Sequence, residues 1–232
     1  MARRSTLSAF AVVVVLGVST GPVLAQDRPV AVDLSAAQPG SLPEGFVVAR
    51  TGKGAPAAWA VVEDPTAHGG RALAQTSTDQ TDYRFPLAID QNVSAANVEV
   101  TVLFKAVAGQ VDRAGGVAVR LVDPNNYDVA RANALEDNVN LYRVAKGVRT
   151  QIRGARTRVG SGEWHALGLR AEGDRFAVSF DGRPLFTAAD QTFTGPGKVA
   201  LWTKADSVTR FDDLTIRTLP RQGGTGARPH DR

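Results

Sequence analysis

Glu136 and Asp137 stand side by side in Arg131–Tyr142, R-A-N-A-L-E-D-N-V-N-L-Y, a stretch unusually rich in polar side chains for strand-like sequence. Carboxylates are the groups of general acid, base and nucleophilic chemistry. A retaining glycosidase needs two of them about 5–5.5 Å apart on one face. Neighbours in an extended chain point to opposite faces, so Glu136 and Asp137 cannot form that pair. Glu99, Glu163 and Glu172 each stand alone at strand positions. Glu136 and Asp137 therefore remain catalytic candidates without a spaced partner.

Other chemistries have fewer residues to draw on. The chain has no Cys, hence no thiol nucleophile, thiolate metal site or disulfide. Of its His residues, His68 lies in a Gly-flanked loop, His165 follows Trp164 at a strand start, and His230 lies near the C-terminus. No G-x-S-x-G elbow, G-x-x-x-x-G-K-[ST] loop or G-x-G-x-x-G turn occurs. Asp123-x-Asn125-x-x-Asp128 offers oxygen ligands but lacks the Gly and terminal Glu of an EF-hand loop, and reads as an Asp-Pro-Asn-Asn turn. No cofactor is expected. A structural calcium at Asp212 and Asp213 is the one metal reading left open.

A second constellation suits binding: Arg120, Arg131, Asn133, Asn140, Tyr142, Trp202, Lys204 and Asp206. Alternation puts Arg131 with Asn133, Asn140 with Tyr142, and Trp202 with Lys204 and Asp206. An aromatic ring for an apolar C–H face, with amides and charges for hydroxyls, is what a sugar site requires. The same groups could equally satisfy one another inside a sandwich.

These residues need strands to hold them. Asn97–Lys105 alternates strictly, with Val98, Val100, Val102 and Phe104 on one side. Strand-like runs also cover Phe46–Arg50, Ala58–Glu63, Arg71–Thr76, Tyr83–Ile89, Gly115–Val122, Tyr127–Asn133, Asn138–Val144, Val148–Arg153, Glu163–Ala171, Arg175–Phe180, Pro184–Thr187, Lys198–Lys204 and Val208–Arg217. Turn chemistry separates them, most clearly at Asp181-Gly182. Pro86 predicts an edge or bent strand, and Trp164 is expected in the core. In the last run Phe211 has the opposite parity to Leu214 and Ile216. If all three face inward, a bulge is required near Asp212-Asp213. No helical period persists. The pattern predicts an all-β, two-sheet antiparallel sandwich of the jelly-roll kind.

The flanks differ from this domain. Residues 1–25 read as a secretory signal: Arg3 and Arg4, an apolar run from Leu7 to Val18 shorter than the roughly 20 residues of a membrane span, and Val23-Leu24-Ala25 before a mature start at Gln26. Residues 26–45 read as a leader, 46–219 as the jelly-roll domain and 220–232 as a disordered tail. The net charge of +4 matches that of the two ends: Arg3 and Arg4 supply two charges, and Arg221, Arg228 and Arg232 less Asp231 supply two more. Everything between them is formally neutral, which gives no case for nucleic acid.

Residues 162–186, from Gly162 to Phe186, and 197–214 carry a resemblance. Their S-G-E-W-H-A-L-G-L-R, D-G and G-K-V-A-L-W patterns resemble the C-terminal half of concanavalin A-like jelly rolls, notably laminin-G-like domains of exported bacterial proteins. They are more loosely similar to the 3-keto-disaccharide hydrolase-like family. Glycosidases of this fold carry an E-x-D-x-x-E strand, which is missing here. The resemblance implies a sandwich with one concave sheet, in a fold often used for carbohydrate. Three functions follow: an exported, periplasmic or extracellular, non-catalytic module binding carbohydrate or another envelope ligand; a glycoside-acting hydrolase using Glu136 or Asp137; or a structural, protein-interaction domain.

Overall fold

The computed structural model describes residues 29–34 and 37–220. The expected signal segment, residues 1–25, the Gln26 start and the tail beyond Pro220 lie outside the described residues. Fifteen strands form two antiparallel sheets, and among the described residues there is no α-helix.

The first sheet is built around β6 (Val98–Ala108) and β15 (Val208–Thr218). Beyond β6 come β11 (Trp164–Glu172), β12 (Arg175–Phe180) and β13 (Arg183–Ala189). Beyond β15 come β4 (Arg71–Gln75) and β3 (Trp59–Glu63), while β1 (Val30–Ala31) pairs with the other half of β15. The second sheet runs in the order β10 (Val148–Arg156), β9 (Asn138–Ala145), β8 (Asn126–Asn133), β7 (Ala114–Asp123), β14 (Gly197–Trp202), β5 (Arg84–Ala95), β2 (Phe46–Gly52).

Alternation fixes the inter-sheet core. Val98, Val100, Val102 and Phe104 of β6, with Leu167, Leu169, Phe176 and Val178, face Val117, Val119, Ala130, Val139, Leu141 and Leu201 of the second sheet. Phe211, Leu214 and Ile216 all enter this core, because β15 bulges between Asp212 and Thr215 and Asp213 takes a left-handed φ of 47°. The parity conflict read from the sequence is resolved by the bulge it required.

Three expectations change. The described part of the expected 26–45 leader, residues 29–34 and 37–45, is not separate from the domain: β1 pairs with β15, Leu34 is buried in the core, and the Ser41 carbonyl accepts the Val61 N–H. Pro86 lies in a strand paired on both sides, not at an edge. It sits one residue beyond the paired stretch with β14, which ends at Leu87↔Trp202. Its carbonyl accepts the Thr203 N–H there, so its missing donor falls where the ladder has already stopped. Trp164 is half-buried, with its indole N–H on Thr66 Oγ1 and Lys105 Nζ 4.8 Å from its ring centre, outside the inter-sheet core.

The central strands of the second sheet are buried on both faces. Phe85, Leu87, Tyr127, Val129, Tyr142, Ala200 and Trp202 have the outward parity yet form a second apolar cluster. The sheet rolls over this cluster. At one edge the β9–β10 hairpin reaches Tyr83, whose hydroxyl accepts the Arg149 N–H at 2.7 Å and donates to the Gly147 carbonyl at 2.9 Å. At the other edge Thr51 Oγ1 on β2 donates to the Pro124 carbonyl and lies 2.8 Å from Tyr127 Oη. Arg149 closes the end, its guanidinium 4.6 Å from the Tyr142 ring centre and 4.9 Å from that of Phe85.

Asp128 carries the clearest pH signature of the fold. It is fully buried, and among the described residues neither carboxylate oxygen has a hydrogen-bond partner. Burial, which outweighs the charge of Arg120, raises its pKa from 3.8 to about 7. A carboxyl whose folded pKa is raised holds its proton longer in the native state. Its effect is to lower stability as pH climbs from about 4 to about 7. Asp128→Asn should therefore be more stable than the parent at pH 8, by about 2–4 kcal/mol, with the advantage vanishing below pH 4. Urea denaturation at both pH values measures this; an advantage that did not depend on pH would assign the gain to packing instead.

Candidate functional site

The polar stretch Arg131–Tyr142 is the β8–β9 hairpin, turning at Ala134–Asp137, with Asp137 in the left-handed region at a φ of 50°. Its outward side chains continue the rolled face beyond the apolar cluster. One cross-strand row carries Trp202, Gly116, Arg131, Asn140 and Gly154 from β14 to β10. The next row pairs Asn133 with Asn138 and Arg156. Gly154 is needed where it stands: a Cβ there would lie 1.8 Å from Asn140 Oδ1, so the Asn140 amide rests on the bare backbone.

Arg131 is the centre. Its guanidinium donates to Glu136 Oε2 at 2.7 Å and Asn138 Oδ1 at 2.6 Å, and lies 5.5 Å from the Tyr142 ring centre. Asp112 Oδ2 is 3.9 Å from its other nitrogen. Asp112 accepts from Asn133 Nδ2 at 2.7 Å and pairs with Lys204 Nζ at 2.9 Å; Lys204 in turn reaches Asp82 at 2.5 Å. The Asn140 amide lies 2.9 Å from Tyr142 Oη. With its oxygen turned to the Tyr142 hydroxyl, it also accepts from Arg131 Nη2 at 3.3 Å.

Exposure sorts these groups into a sealed layer and an open rim. Arg131 and Asp112 side chains are 2% and 1% exposed, whereas Glu136 is 49% and Asp82 73% exposed. The two carboxyls flanking Arg131 are driven apart in acidity. Burial raises Asp112, and the charges of Arg131 and Lys204 do not fully offset it. Burial also pushes Glu136 upward, but hydrogen bonds from Arg131 and Asn138 outweigh it and leave its carboxyl below the usual range. Burial would lower Lys204, yet its contacts with Asp82 and Asp112 raise it, so it stays a cation.

The structure brings Arg131, Asn133, Asn140, Tyr142 and Lys204 together and separates the other three candidates from ligand contact. Trp202 is fully buried, its indole N–H on Tyr127 Oη at 3.1 Å, so it offers no face to a sugar ring. Asp206 holds the 110–112 loop, accepting the N–H groups of Gln110, Val111 and Asp112. Arg120 lies at the opposite end of the fold on a bulge with a φ of 52°, and donates to the carbonyls of Ala96, Phe193 and Gly173 at 2.7 Å each. Asp137 holds the segment that follows β10, accepting the Thr157 N–H at its carbonyl and the Val159 N–H at its carboxylate.

The sequence reading missed Asp112, Asn138 and Asp82 as members of the site and treated Glu136 only as an acid or base. Asn138 was visible within the polar stretch. Asp82 and Asp112 sit in loops, and no local pattern marks them. Asp212 and Asp213 are placed at the β15 bulge, where Asp212 Oδ2 accepts the His68 N–H and Asp213 Oδ1 lies 3.1 Å from His68 Nδ1. A cleft of about 560 Å³ against Asn97, Glu172, Asp174 and Arg175 is distant from the Arg131 cluster in the sheet order and gathers none of its residues.

No protein-family model matches the chain, and no curated protein sequence matches it. Among solved structures it is similar to the carbohydrate-binding module CBM66 from Bacillus subtilis, with 22% identity, a TM-score of 0.58, and coverage of 75% of this chain and 96% of that one. Lectin II from Ulex europaeus aligns at 8% identity and a TM-score of 0.56, over 84% of this chain and 100% of that one. A Bacillus licheniformis β-glucanase aligns at 13% identity and a TM-score of 0.51, over 78% and 95%. The shared property is the fold: a jelly-roll sandwich of the concanavalin A-like kind.

Proposed function

We propose that this chain is a non-catalytic jelly-roll module that binds carbohydrate on the open end of its rolled sheet. The observation that carries the reading is the two-layer construction around Arg131. A sealed layer of Arg131, Asp112, Asn133, Asn140 and Lys204 fixes an open rim of Glu136, Asn138 and Asp82. Preset donors and acceptors at a rim spare the ligand the cost of ordering them, and sugar hydroxyls match alternating carboxylate, amide and ammonium groups. The fold shared with a carbohydrate-binding module and a lectin supports the same reading. Residues 46–219 carry a formal net charge of only +2, a weak field for nucleic acid. Export rests on the signal-like residues 1–25, and would be shown by a secreted form beginning at Gln26.

A glycan array with Glu136→Gln and Asn138→Ala tests the assignment. Each should weaken binding about tenfold or more, on the scale of 1.5–3 kcal/mol for hydrogen bonds to charged groups, with binding read well below each variant's melting temperature because both residues also accept from the buried Arg131 guanidinium. Full affinity in both variants would remove the site from this face.

One observation favours a second reading, a glycoside-acting hydrolase. Asp112 and Glu136 flank Arg131 with acidities displaced in opposite directions, as in an acid and base pair. Against it, Asp112 is sealed behind Asn133 and Lys204. Turnover of oxidised or unmodified disaccharides that is lost in Glu136→Gln would favour the enzyme; retained binding without turnover favours the module.

A further inference from the structure

The His165 ring is buried against Phe180, stacked at 5.0 Å, and Phe104 at 5.9 Å. Both ring nitrogens are engaged. Nδ1 lies 2.9 Å from Asp181 Oδ2, and Nε2 accepts the Gly160 N–H at 3.0 Å. An amide N–H can be accepted only by an unprotonated nitrogen, so the geometry fixes the neutral imidazole with its proton on Nδ1.

Gly160 belongs to a strap, residues 157–161, that leads from β10 towards β11. The strap's other end is pinned to the binding face: Thr157 N–H donates to the Asp137 carbonyl and Val159 N–H to Asp137 Oδ1, each at 3.0 Å. Asp137 is the neighbour of Glu136, the rim carboxylate held by Arg131. Hydrogen bonds at both ends of the strap, to His165 from Gly160 and to Asp137 from Thr157 and Val159, therefore link the ring to the residue next to Glu136.

A replacement partner is already in position. Glu163 Oε2 lies 4.0 Å from His165 Nε2, and a Cβ on residue 160 would come within 2.4 Å of the same oxygen. Glycine at 160 leaves that carboxylate room beside the ring. The charged groups around the imidazole are Asp181 from the β12–β13 turn and Glu163 with Arg158, 3.9 Å from its other oxygen; β6 and β12 present only Phe104 and Phe180.

We propose that His165 is a proton-operated latch on the Glu136–Asp137 corner of the binding face. When neutral, it locks the strap through Gly160. When Nε2 takes a proton, that nitrogen becomes a donor and is handed to the Glu163 carboxylate. The Gly160 N–H then loses its acceptor, the strap loosens, and Asp137 no longer holds the corner in one place. His165 is thus a positioning residue whose effect on the rim varies with pH. This inference concerns the geometry of the corner and holds whichever ligand the rim takes.

Nuclear magnetic resonance on the full chain reads each part of the latch. The His165 Cε1–H shift follows protonation, and amide exchange, expressed as protection factors, follows the strap. Protection of Gly160 and Val159 should fall at least tenfold as His165 titrates, and the Glu136 and Asn138 amide shifts should move with the same midpoint. Val100 in β6 should stay protected throughout. His165→Gln, which can accept from Gly160 but cannot charge, should abolish the pH dependence. Should that variant not fold, Glu163→Gln keeps the question decidable: with the carboxylate charge gone, the His165 midpoint moves to lower pH. Unchanged Gly160 protection across the titration, an equal fall in His165→Gln, or an unmoved midpoint in Glu163→Gln would each overturn the latch.

Discussion

Arg120→Ala should cost about 4 kcal/mol or more, a large part of the 5–15 kcal/mol that holds a domain together. The guanidinium is fully buried and donates to three carbonyls from three separate connections, those of Ala96, Gly173 and Phe193. Each charged hydrogen bond contributes about 1.5–3 kcal/mol, and removing the donor leaves the acceptors desolvated. The ring of Phe176, 5.1 Å from the guanidinium carbon, loses its cation as well. Arg120→Lys should recover little, because one ammonium on a flexible stem cannot span three acceptors set for a planar fork. Denaturation in urea gives the comparison directly. A loss below about 1 kcal/mol would mean that water replaces the guanidinium at all three carbonyls, and the view of Arg120 as the clamp of that end would have to go.

Trp202→Ala is expected to cost about 3–5 kcal/mol, the usual range for deleting a buried Trp. Its ring packs 5.2 Å from Phe85 and lies 5.9 Å from the Arg149 guanidinium, so the substitution opens a cavity beneath the residue that closes the roll. It also removes the indole N–H from Tyr127 Oη. Burial, opposed by hydrogen bonds to Thr51 and Trp202, has pushed the Tyr127 phenol to about 12, so it stays a neutral hydroxyl able to accept that bond. The instructive partner is Trp202→Phe. It should lose less stability and keep full glycan affinity, since the ring touches no solvent. Affinity lost in Trp202→Phe with an intact melting temperature would show that the roll opens to admit a ligand.

The rim and the roll divide the face by function. Where the outward residues are apolar, the sheet closes on itself and the face becomes core. Where they turn polar at Arg131, the sheet stays open. The transition occurs within one cross-strand row, from Trp202 through Arg131 to Asn140, which is why residues of matching parity have such different fates.

The strands were legible because each has an inter-sheet face to bury, and burial imposes a period of two. Val98 to Phe104 and Phe176 to Phe180 are the plain cases. Even the β15 bulge was legible, since Phe211 against Leu214 and Ile216 cannot share a face in a regular strand. The membership of Arg131, Asn133, Asn140 and Tyr142 in one polar group followed from the same alternation. β1 was missed because two residues are too few to show any period.

What alternation could not decide is what stands over a face. Trp202 and Tyr142 share the outward parity that a sugar-stacking ring would have, yet Arg149 and Tyr83 cover that end. The Arg149–Tyr83 contact joins positions 66 residues apart. Asp82, Asp112 and Lys204 likewise meet only because a loop before β5, a loop before β7 and the end of β14 converge. The sequence by itself determined the sandwich and the polar character of the Arg131–Tyr142 hairpin, because these depend on local period and composition. Only the tertiary structure decided which of those polar groups are sealed and which face solvent, because that depends on the curvature of the sheet and on contacts between distant segments.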